Sequence, residues 1–270
     1  MPDTDLKTAS PMALRRRGLL LTAPTLLTPG LAAAAEPSRP RTIMATTPIA
    51  RTDIKWWRER HEAKLVELKM KRPELVFYGD SITQQWEYTG PPDWRDYQPI
   101  WQRFYGRRNA VNLGFKGDTT SSLIWRIRNG EASGISPRAA VILIGANHLG
   151  RLKWGTEDTV AGIDQVIRDL RQRLPSTRLL LLGILPSERS AWATETTVAV
   201  NRVLATKYPK GHEVTFMDLG HLFMRDGRFD RTQFYDPYLK PPDPPLHPTA
   251  QAMARMAEAM EPTLATLMKS

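Results

Sequence analysis

The chain contains no cysteine among its 270 residues. Disulfide bridges, a cysteine nucleophile and zinc–thiolate sites are therefore excluded. Long basic runs are also missing beyond the Arg15–Arg17 triplet, and the other lysines and arginines are scattered. The net charge of +10 favours acidic partners. The sequence shows no helix-turn-helix, zinc-finger or RNA-recognition pattern, however, so we expect no nucleic acid partner.

A long uninterrupted apolar run is lacking as well. Residues 18–32 are apolar but contain Thr, Pro and Gly, and the stretch is too short for a membrane span of about 20 residues. The basic triplet before it and the Ala33–Ala35 cleavage site after it are typical of an export signal over residues 1–35. Arg16-Arg17 resembles a twin-arginine signal. We expect export to the periplasm or the medium, with no stable membrane span after cleavage; a disordered basic tail is the alternative.

Strand and helix patterns alternate five times after a Pro-, Thr- and Arg-rich linker over residues 36–52. We interpret residues 53–270 as one domain. Such alternation indicates an α/β fold, with a five-stranded parallel sheet between two layers of helices and right-handed crossovers. The predicted strands cover residues 75–78, 110–113, 139–144, 179–185 and 214–219, and the longer predicted helices cover 53–73, 160–174, 191–208 and 248–268.

A glycine, an acid and a hydroxyl follow the first predicted strand directly, as Gly79-Asp80-Ser81. The carboxyl ends of parallel strands are where open α/β sheets bind their ligands. Ser81 would then present its hydroxyl to a crevice, at the start of a helix. A plain turn with a helix cap is the simpler alternative, because Asp and Ser both favour such positions.

Three further loops at the same predicted edge carry polar groups or glycines. Gly117 follows the second strand, Asn147 follows the third, and His247 precedes the last helix. Each has an ordinary alternative as a turn, a cap or a surface histidine. Together with Ser81 they supply a hydroxyl, an imidazole and several N–H donors, which is what acyl transfer requires. The joint pattern predicts a serine nucleophile with a base and an oxyanion hole.

These residues resemble the four conserved blocks of the SGNH (GDSL) hydrolases, and in particular the catalytic subunits of the intracellular platelet-activating-factor acetylhydrolases. Two further motifs carry the likeness: residues 112–120 read N-L-G-F-K-G-D-T-T and residues 125–131 read W-R-I-R-N-G-E. The resemblance covers the chain from about Glu74 onward. It implies a flavodoxin-like three-layer sandwich and an ester hydrolase that uses neither a metal nor another cofactor.

The resemblance also implies roles for individual residues. Ser81 would be the nucleophile and His247 its general base. The backbone N–H groups of Ser81 and Gly117, with the side chain of Asn147, would form the oxyanion hole. His148 stands where relatives often have Asn, and we expect it to lie at the substrate rim.

The chain departs from the family pattern at the aspartate that partners the catalytic histidine. The family places an aspartate three residues before the histidine, but Pro244 occupies that position and Asp243 lies four residues before His247. We predict that the two prolines between them bulge the loop enough for Asp243 to reach the imidazole. Asp236 and a backbone carbonyl are the alternatives.

The leading hypothesis from the sequence is an exported serine esterase. Its substrate would be a short-chain, most plausibly acetyl, ester of a carbohydrate or another small molecule. An acyltransferase that passes the group to a polysaccharide would use the same site. A non-catalytic carbohydrate-binding or assembly protein on this fold is the third hypothesis.

Overall fold

Five short strands form one parallel sheet in the structure, a computed structural model that describes residues 43–209 and 213–269. The strand order is β2-β1-β3-β4-β5. The predicted α/β fold class and the five strands are confirmed. Their bounds are β1 (Leu75–Gly79), β2 (Val111–Gly114), β3 (Ala139–Leu143), β4 (Arg178–Leu182) and β5 (Val214–Met217).

The strands read as nearly unbroken apolar runs because both faces of the sheet are covered. Every residue of β1, β2 and β3 is buried. Strands of this kind are typical of parallel sheets enclosed by helices, and they do not show the alternation of a half-exposed sheet. Buried apolar surface on both faces is therefore the main source of stability in the central layer.

The helices lie in two layers, and strand order explains why. The connection from β1 to β2 runs one way along the sheet, whereas those from β2 through β5 run the other way. Right-handed crossovers in opposite directions place their helices on opposite faces. The helices are α1 (Lys55–Lys71), α2 (Ser81–Gln84), α3 (Gln98–Tyr105), α4 (Thr120–Arg126), α5 (Thr156–Arg173), α6 (Ala191–Lys207) and α7 (Ala250–Leu267).

Helix packing agrees with this arrangement. Helix α5 contacts both α4 and α6, while α3 contacts α7.

Local sequence fixes several helix starts: the Ser190 hydroxyl accepts the Ala193 N–H at 3.1 Å, and the Thr249 hydroxyl accepts the Ala252 N–H at 3.3 Å. Such caps satisfy N–H groups that the helix itself cannot. Helix α1 begins two residues later than predicted, after Ile54, and its start has no side-chain cap.

The second half of the predicted linker packs on the domain. Ala45 is buried, its carbonyl accepts the Thr120 hydroxyl at 2.6 Å, and the Ile49 N–H donates to the Ser121 carbonyl at 3.1 Å. Composition alone did not show this, because the contacts are made by backbone groups. The predicted export signal and residues 36–42 lie outside the described residues.

Strand order reverses at β1, which pairs with β2 on one side and β3 on the other. In open parallel sheets a ligand crevice forms at such a point, outside the carboxyl ends of the strands. The loops after β1, β2 and β3 therefore meet there. Within the described ranges, no helix combines the length and apolar character that crossing a membrane requires.

Candidate active site

Ser81 lies at the first position of α2, directly after β1. The Asp80 side chain accepts the Ile82 N–H at 3.0 Å and so caps this short helix. A side chain at Gly79 would collide with the Thr83 hydroxyl and the Leu143 carbonyl. Only glycine therefore allows the tight passage from strand to helix that presents the Ser81 hydroxyl at the sheet edge.

His247 meets Ser81 although the two are 166 positions apart in the chain. The Ser81 Oγ and the His247 Nε2 are 3.0 Å apart, which is hydrogen-bonding distance. The Tyr235 ring stacks on the imidazole, with ring centres 5.4 Å apart and planes 13° apart. The predicted convergence of hydroxyl and imidazole is thus present in the structure.

Asp236, and not Asp243, is the carboxylate that contacts the imidazole. Asp236 Oδ1 lies 2.6 Å from His247 Nδ1, and its Oδ2 accepts the Leu246 N–H at 2.8 Å and the His247 N–H at 2.5 Å. With Nδ1–H donating to Asp236, the neutral ring keeps Nε2 free to accept the Ser81 proton. The prediction that Asp243 fills this position is wrong.

Backbone pairing explains why Asp236, and not Asp243, contacts the imidazole. Phe234 and Pro248 form an antiparallel bridge, and the Tyr235 N–H donates to the His247 carbonyl at 3.0 Å. This pairing holds Asp236 beside His247 and leaves the intervening residues as a loop. Asp243 is exposed on that loop, where its N–H donates to the Asp236 carbonyl at 3.1 Å.

Gly117 and Asn147 come together at the carboxyl end of the sheet, from loops that follow the strands on either side of β1. Gly117 has a φ of 78° in the turn that the Asp118 N–H closes on the Phe115 carbonyl at 3.1 Å. Such a φ at the third position of a turn favours glycine. The Asn147 Nδ2 donates to the Asp118 carbonyl at 2.8 Å, so the loops after β2 and β3 are joined. A carboxamide carries two N–H bonds, and the contact with Asp118 uses one of them.

A buried arginine forms hydrogen bonds with the loop after β2 and with the carboxyl ends of β1 and β2. Arg126 is fully buried and donates from Nε to Asp118 at 2.8 Å, and its Nη1 pairs with Glu131. It also donates to the carbonyls of Leu113 and Gly79, each at 3.2 Å, at the carboxyl ends of β2 and β1. The motif over residues 125–131 therefore ties the strand ends that carry Ser81 and Gly117.

The carboxylates of this buried network have further hydrogen-bond partners besides Arg126, and a buried ion cluster needs such partners to offset the loss of water. The Trp57 Nε1 donates to Asp118 at 2.8 Å, and Glu131 accepts from His61 Nδ1 at 3.0 Å. Burial raises the pKa of Asp118, and the Arg126 charge opposes that rise. The sequence motif pointed to this segment only through a family resemblance, and its supporting role was missed.

His148 does not lie at a substrate rim, which corrects the prediction for this residue. Its side chain is fully buried, its Nε2 accepts the Thr120 N–H at 3.0 Å, and its ring packs on Trp154 at 4.7 Å between centres. Burial lowers its pKa to about 3, so the ring is neutral. Among the described residues its Nδ1 has no hydrogen-bond partner.

Two further charges lie near the triad of side chains. Asp80 is buried, and burial raises its pKa to about 6. Arg189, half-buried, donates to the Ala146 carbonyl at 2.7 Å and acts electrostatically on both Asp80 and Asp236. Gly150 makes room for it, because a side chain there would collide with the guanidinium. In the described part of the chain, no cluster of three or more His, Asp or Glu side chains is placed to hold a metal ion.

Fold and site together define a hydrolase with a Ser–His–Asp arrangement at the switch point of a parallel sheet. Residues 77–255 match the model of the GDSL-like lipase/acylhydrolase family. The chain belongs to that family and is a carboxylic ester hydrolase, which confirms the resemblance drawn from the sequence.

Individual relatives agree with this membership. The platelet-activating factor acetylhydrolase IB subunit alpha2 of Gallus gallus is 27% identical over 230 residues, covering 83% of this chain and 92% of the relative. The platelet-activating factor acetylhydrolase IB subunit alpha1 of Bos taurus is 29% identical over 185 residues, covering 67% of this chain and 73% of the relative.

Solved structures share the fold at low identity. A GDSL-like lipase from Bacteroides thetaiotaomicron superposes with a TM-score of 0.56 at 17% identity, covering 77% of this chain and 97% of that one. A carbohydrate acetylesterase family member from Sinorhizobium meliloti gives a TM-score of 0.53 at 15% identity, covering 73% of this chain and 99% of that one.

Proposed function

We propose that this protein is a serine esterase that works through an acyl-enzyme on Ser81. The observation that carries the proposal is the continuous chain of contacts from Ser81 Oγ to His247 Nε2 at 3.0 Å and from His247 Nδ1 to Asp236 at 2.6 Å. This is the order of groups that activates a serine hydroxyl in other hydrolases.

In the first half of the reaction, Ser81 Oγ attacks the ester carbonyl while its proton passes to His247 Nε2. Asp236 holds the ring in the required tautomer and stabilises the imidazolium that forms. The tetrahedral oxyanion is held by the N–H groups of Ser81 and Gly117 and by the Asn147 carboxamide. Collapse breaks the ester bond, and His247 returns the proton to the leaving alcohol.

In the second half, water replaces the alcohol. It gives a proton to His247 and attacks the acyl carbon, and the same donors hold the second oxyanion. Collapse releases the carboxylic acid and returns the proton to Ser81. No group other than these side chains, the backbone and water takes part in this scheme.

We infer a short acyl group, most plausibly acetyl, on a carbohydrate or another small alcohol. Two similarities support this: relatives are named as acetylhydrolase subunits, and a structural neighbour is named as a carbohydrate acetylesterase. Hydrolysis rates should then fall from acetyl to butyryl to octanoyl esters of one chromogenic alcohol. Release of acetate from acetylated sugars would test the alcohol portion. We also propose export, on the basis of the signal pattern over residues 1–35.

Substitution of Ser81 tests the reaction. Hydrolysis of a chromogenic acetyl ester by Ser81→Ala should fall about 10⁶-fold, the order found when a triad serine is removed. Ser133→Ala, at an exposed serine, is the matched control and should keep wild-type turnover. Labelling with an organophosphonate ester, followed by peptide mass analysis, should place the adduct on Ser81. Retained activity in Ser81→Ala would reject the proposal.

A further inference from the structure

A row of arginines lies at the amino ends of the strands, at the end of the sheet opposite Ser81. The chain returns to this end before each strand begins, because all five strands are parallel. Three of the side chains are exposed and one is half-buried. This basic row consists of Arg72 before β1, Arg107 before β2, Arg138 before β3 and Arg178 at the start of β4.

Backbone contacts place the segments that carry the basic row beside one another. The Asn109 side chain, from the loop before β2, donates to the Arg72 carbonyl at 3.4 Å. The Arg138 N–H donates to the Glu74 carbonyl at 2.9 Å, and the Arg178 N–H donates to the Arg138 carbonyl at 2.9 Å. Neighbouring strands lie about 4.8 Å apart, so the four strand starts span about 14 Å.

The charges of the basic row are not balanced by nearby acids. In the described parts of the chain, none of its guanidinium groups lies within salt-bridge distance of a carboxylate. Glu213 pairs with Arg171 at 2.7 Å. Glu261 pairs with Arg108. The exposed Glu74 also lies at this end, and a single carboxylate cannot neutralise four arginines.

Helix ends explain why basic residues collect here, but they supply no counter-ion. The C-terminus of a helix carries a partial negative charge that favours cations. Arg138 donates from Nη1 to the Met268 carbonyl at 3.1 Å, at the end of α7. That carbonyl is a dipole and not an anion, so the guanidinium keeps its charge. Lys269, the next residue, is exposed and adds a further positive charge.

The surroundings of the basic row favour a lipid surface as the partner. Met70, in the last turn of α1 and two residues before Arg72, is 80% exposed. An apolar side chain beside basic ones is typical of proteins that bind at the interface of an anionic bilayer. Docking at this end also leaves Ser81 open to solvent at the other end, whereas an acidic polysaccharide that carried the ester would have to reach Ser81.

We propose that the basic row docks this protein on the surface of an anionic lipid bilayer. Guanidinium groups pair with lipid phosphates through two parallel hydrogen bonds, and the Met70 side chain enters the headgroup region. The contact is peripheral and electrostatic. It does not depend on the proposed esterase function.

Sedimentation of the full chain with lipid vesicles tests the proposal. Wild type should pellet with phosphatidylcholine vesicles that contain about 30% phosphatidylglycerol, and it should stay in solution with phosphatidylcholine alone. Arg72→Gln/Arg107→Gln should weaken binding to the anionic vesicles about 10- to 30-fold, the effect of two basic residues at such a surface. Raising the ionic strength from about 0.05 M to about 0.5 M should release wild type.

Arg202→Gln/Arg228→Gln is the matched control. It removes the same charge from two exposed arginines, one on α6 and one between β5 and α7. Its binding should stay within about twofold of wild type, because these charges lie away from the docked surface. Both double variants keep residues 1–42, so binding by the basic triplet in that segment would not separate them. Both should hydrolyse the chromogenic acetyl ester as wild type does.

A fluorescent label tests the orientation of the bound protein. Because the chain has no cysteine, a single introduced cysteine takes the label at one position. A polarity-sensitive dye on Ser136→Cys, two residues before Arg138, should shift to the blue on anionic vesicles. The same dye on Thr89→Cys, at an exposed position between α2 and α3, should not shift.

Three results would overturn the proposal. One is equal binding by the two double variants, and another is a dye shift at Thr89→Cys with none at Ser136→Cys. The third is binding to soluble polygalacturonate with no binding to anionic vesicles, which would assign the basic row to an acidic polysaccharide. Turnover of the chromogenic ester is measured separately, so each of these results leaves the esterase function standing.

Discussion

The two sides of the site are built in different ways. Ser81 and Gly117 follow regular strands whose ends are tied by the fully buried Arg126, and Ser81 is itself buried. His247 and Asp236 lie in irregular chain between β5 and α7, where one antiparallel bridge and a few hydrogen bonds set the geometry. The nucleophile side therefore depends on a fully buried ion network, and the base side on a single carboxylate.

This difference predicts that substitutions on the two sides of the site have different consequences. A change in the buried network leaves charges unpaired in the core, so it should lower the stability of the whole domain. A change at Asp236 removes a partner from a partly exposed imidazole, so it should act mainly on the reaction. Three substitutions test the comparison before the last measurement.

The largest effect on stability is expected from Arg126→Gln. The change leaves Asp118 and Glu131 buried without their common cation, and the free energy of unfolding should fall by about 3–5 kcal/mol. Urea denaturation measures this loss, with a matching fall in Tm. Arg231→Gln is the control, because that side chain is 70% exposed and pairs with Glu188 at 2.6 Å. The control should lose less than about 1 kcal/mol; equal losses in the two variants would remove the contrast between the sides.

Asn147→Ala should lower kcat on the chromogenic acetyl ester by about 10²–10³-fold. The carboxamide is proposed to bind the oxyanion, which exists only after attack, so KM should change little. Steady-state kinetics on the folded variant measures both constants. A loss confined to KM would show that Asn147 binds the ground state and is not an oxyanion donor.

The third effect concerns acid stability. His148 is neutral in the folded protein with a pKa of about 3, whereas an unfolded histidine titrates near its ordinary value of 6.5. Its contribution is therefore complete above pH 6.5 and is lost as the pH falls toward 3, by up to about 1.4 kcal/mol per pH unit. Urea denaturation at pH 7 and pH 4 should show a smaller acid loss for His148→Asn than for wild type. His221→Asn, at an exposed histidine, should follow wild type; parallel curves for all three proteins would contradict the assignment.

The sheet was predictable because burial on both faces leaves a simple signal. Apolar runs such as Leu75–Gly79 and Ala139–Leu143 end at glycine or at polar loops, and their alternation with helices fixes the layers. Ser81, Gly117, Asn147 and His247 were predicted for a similar reason, since strand ends locate three of them and a helix start locates the fourth. Strand and helix bounds differed from prediction by a few residues.

Asp243 and His148 were assigned wrongly because the environments of Asp236 and His148 depend on contacts between segments that are separate in the sequence. Spacing from the histidine favoured Asp243, and nothing local shows that Phe234 pairs with Pro248 and brings Asp236 across the loop. The burial of His148 under Trp154 and against Thr120 likewise joins segments that the sequence leaves apart.

Turnover of a chromogenic acetyl ester by Asp236→Asn and Asp243→Asn tests the central claim most directly. If Asp236 orients His247 for attack by Ser81, Asp236→Asn should lose about 10⁴-fold in kcat, as when a triad aspartate becomes asparagine. Asp243→Asn, on the exposed side of the same loop, should stay within about twofold of wild type, as expected for a surface substitution away from the site. A large loss in Asp243→Asn with Asp236→Asn near wild type would contradict the site described here.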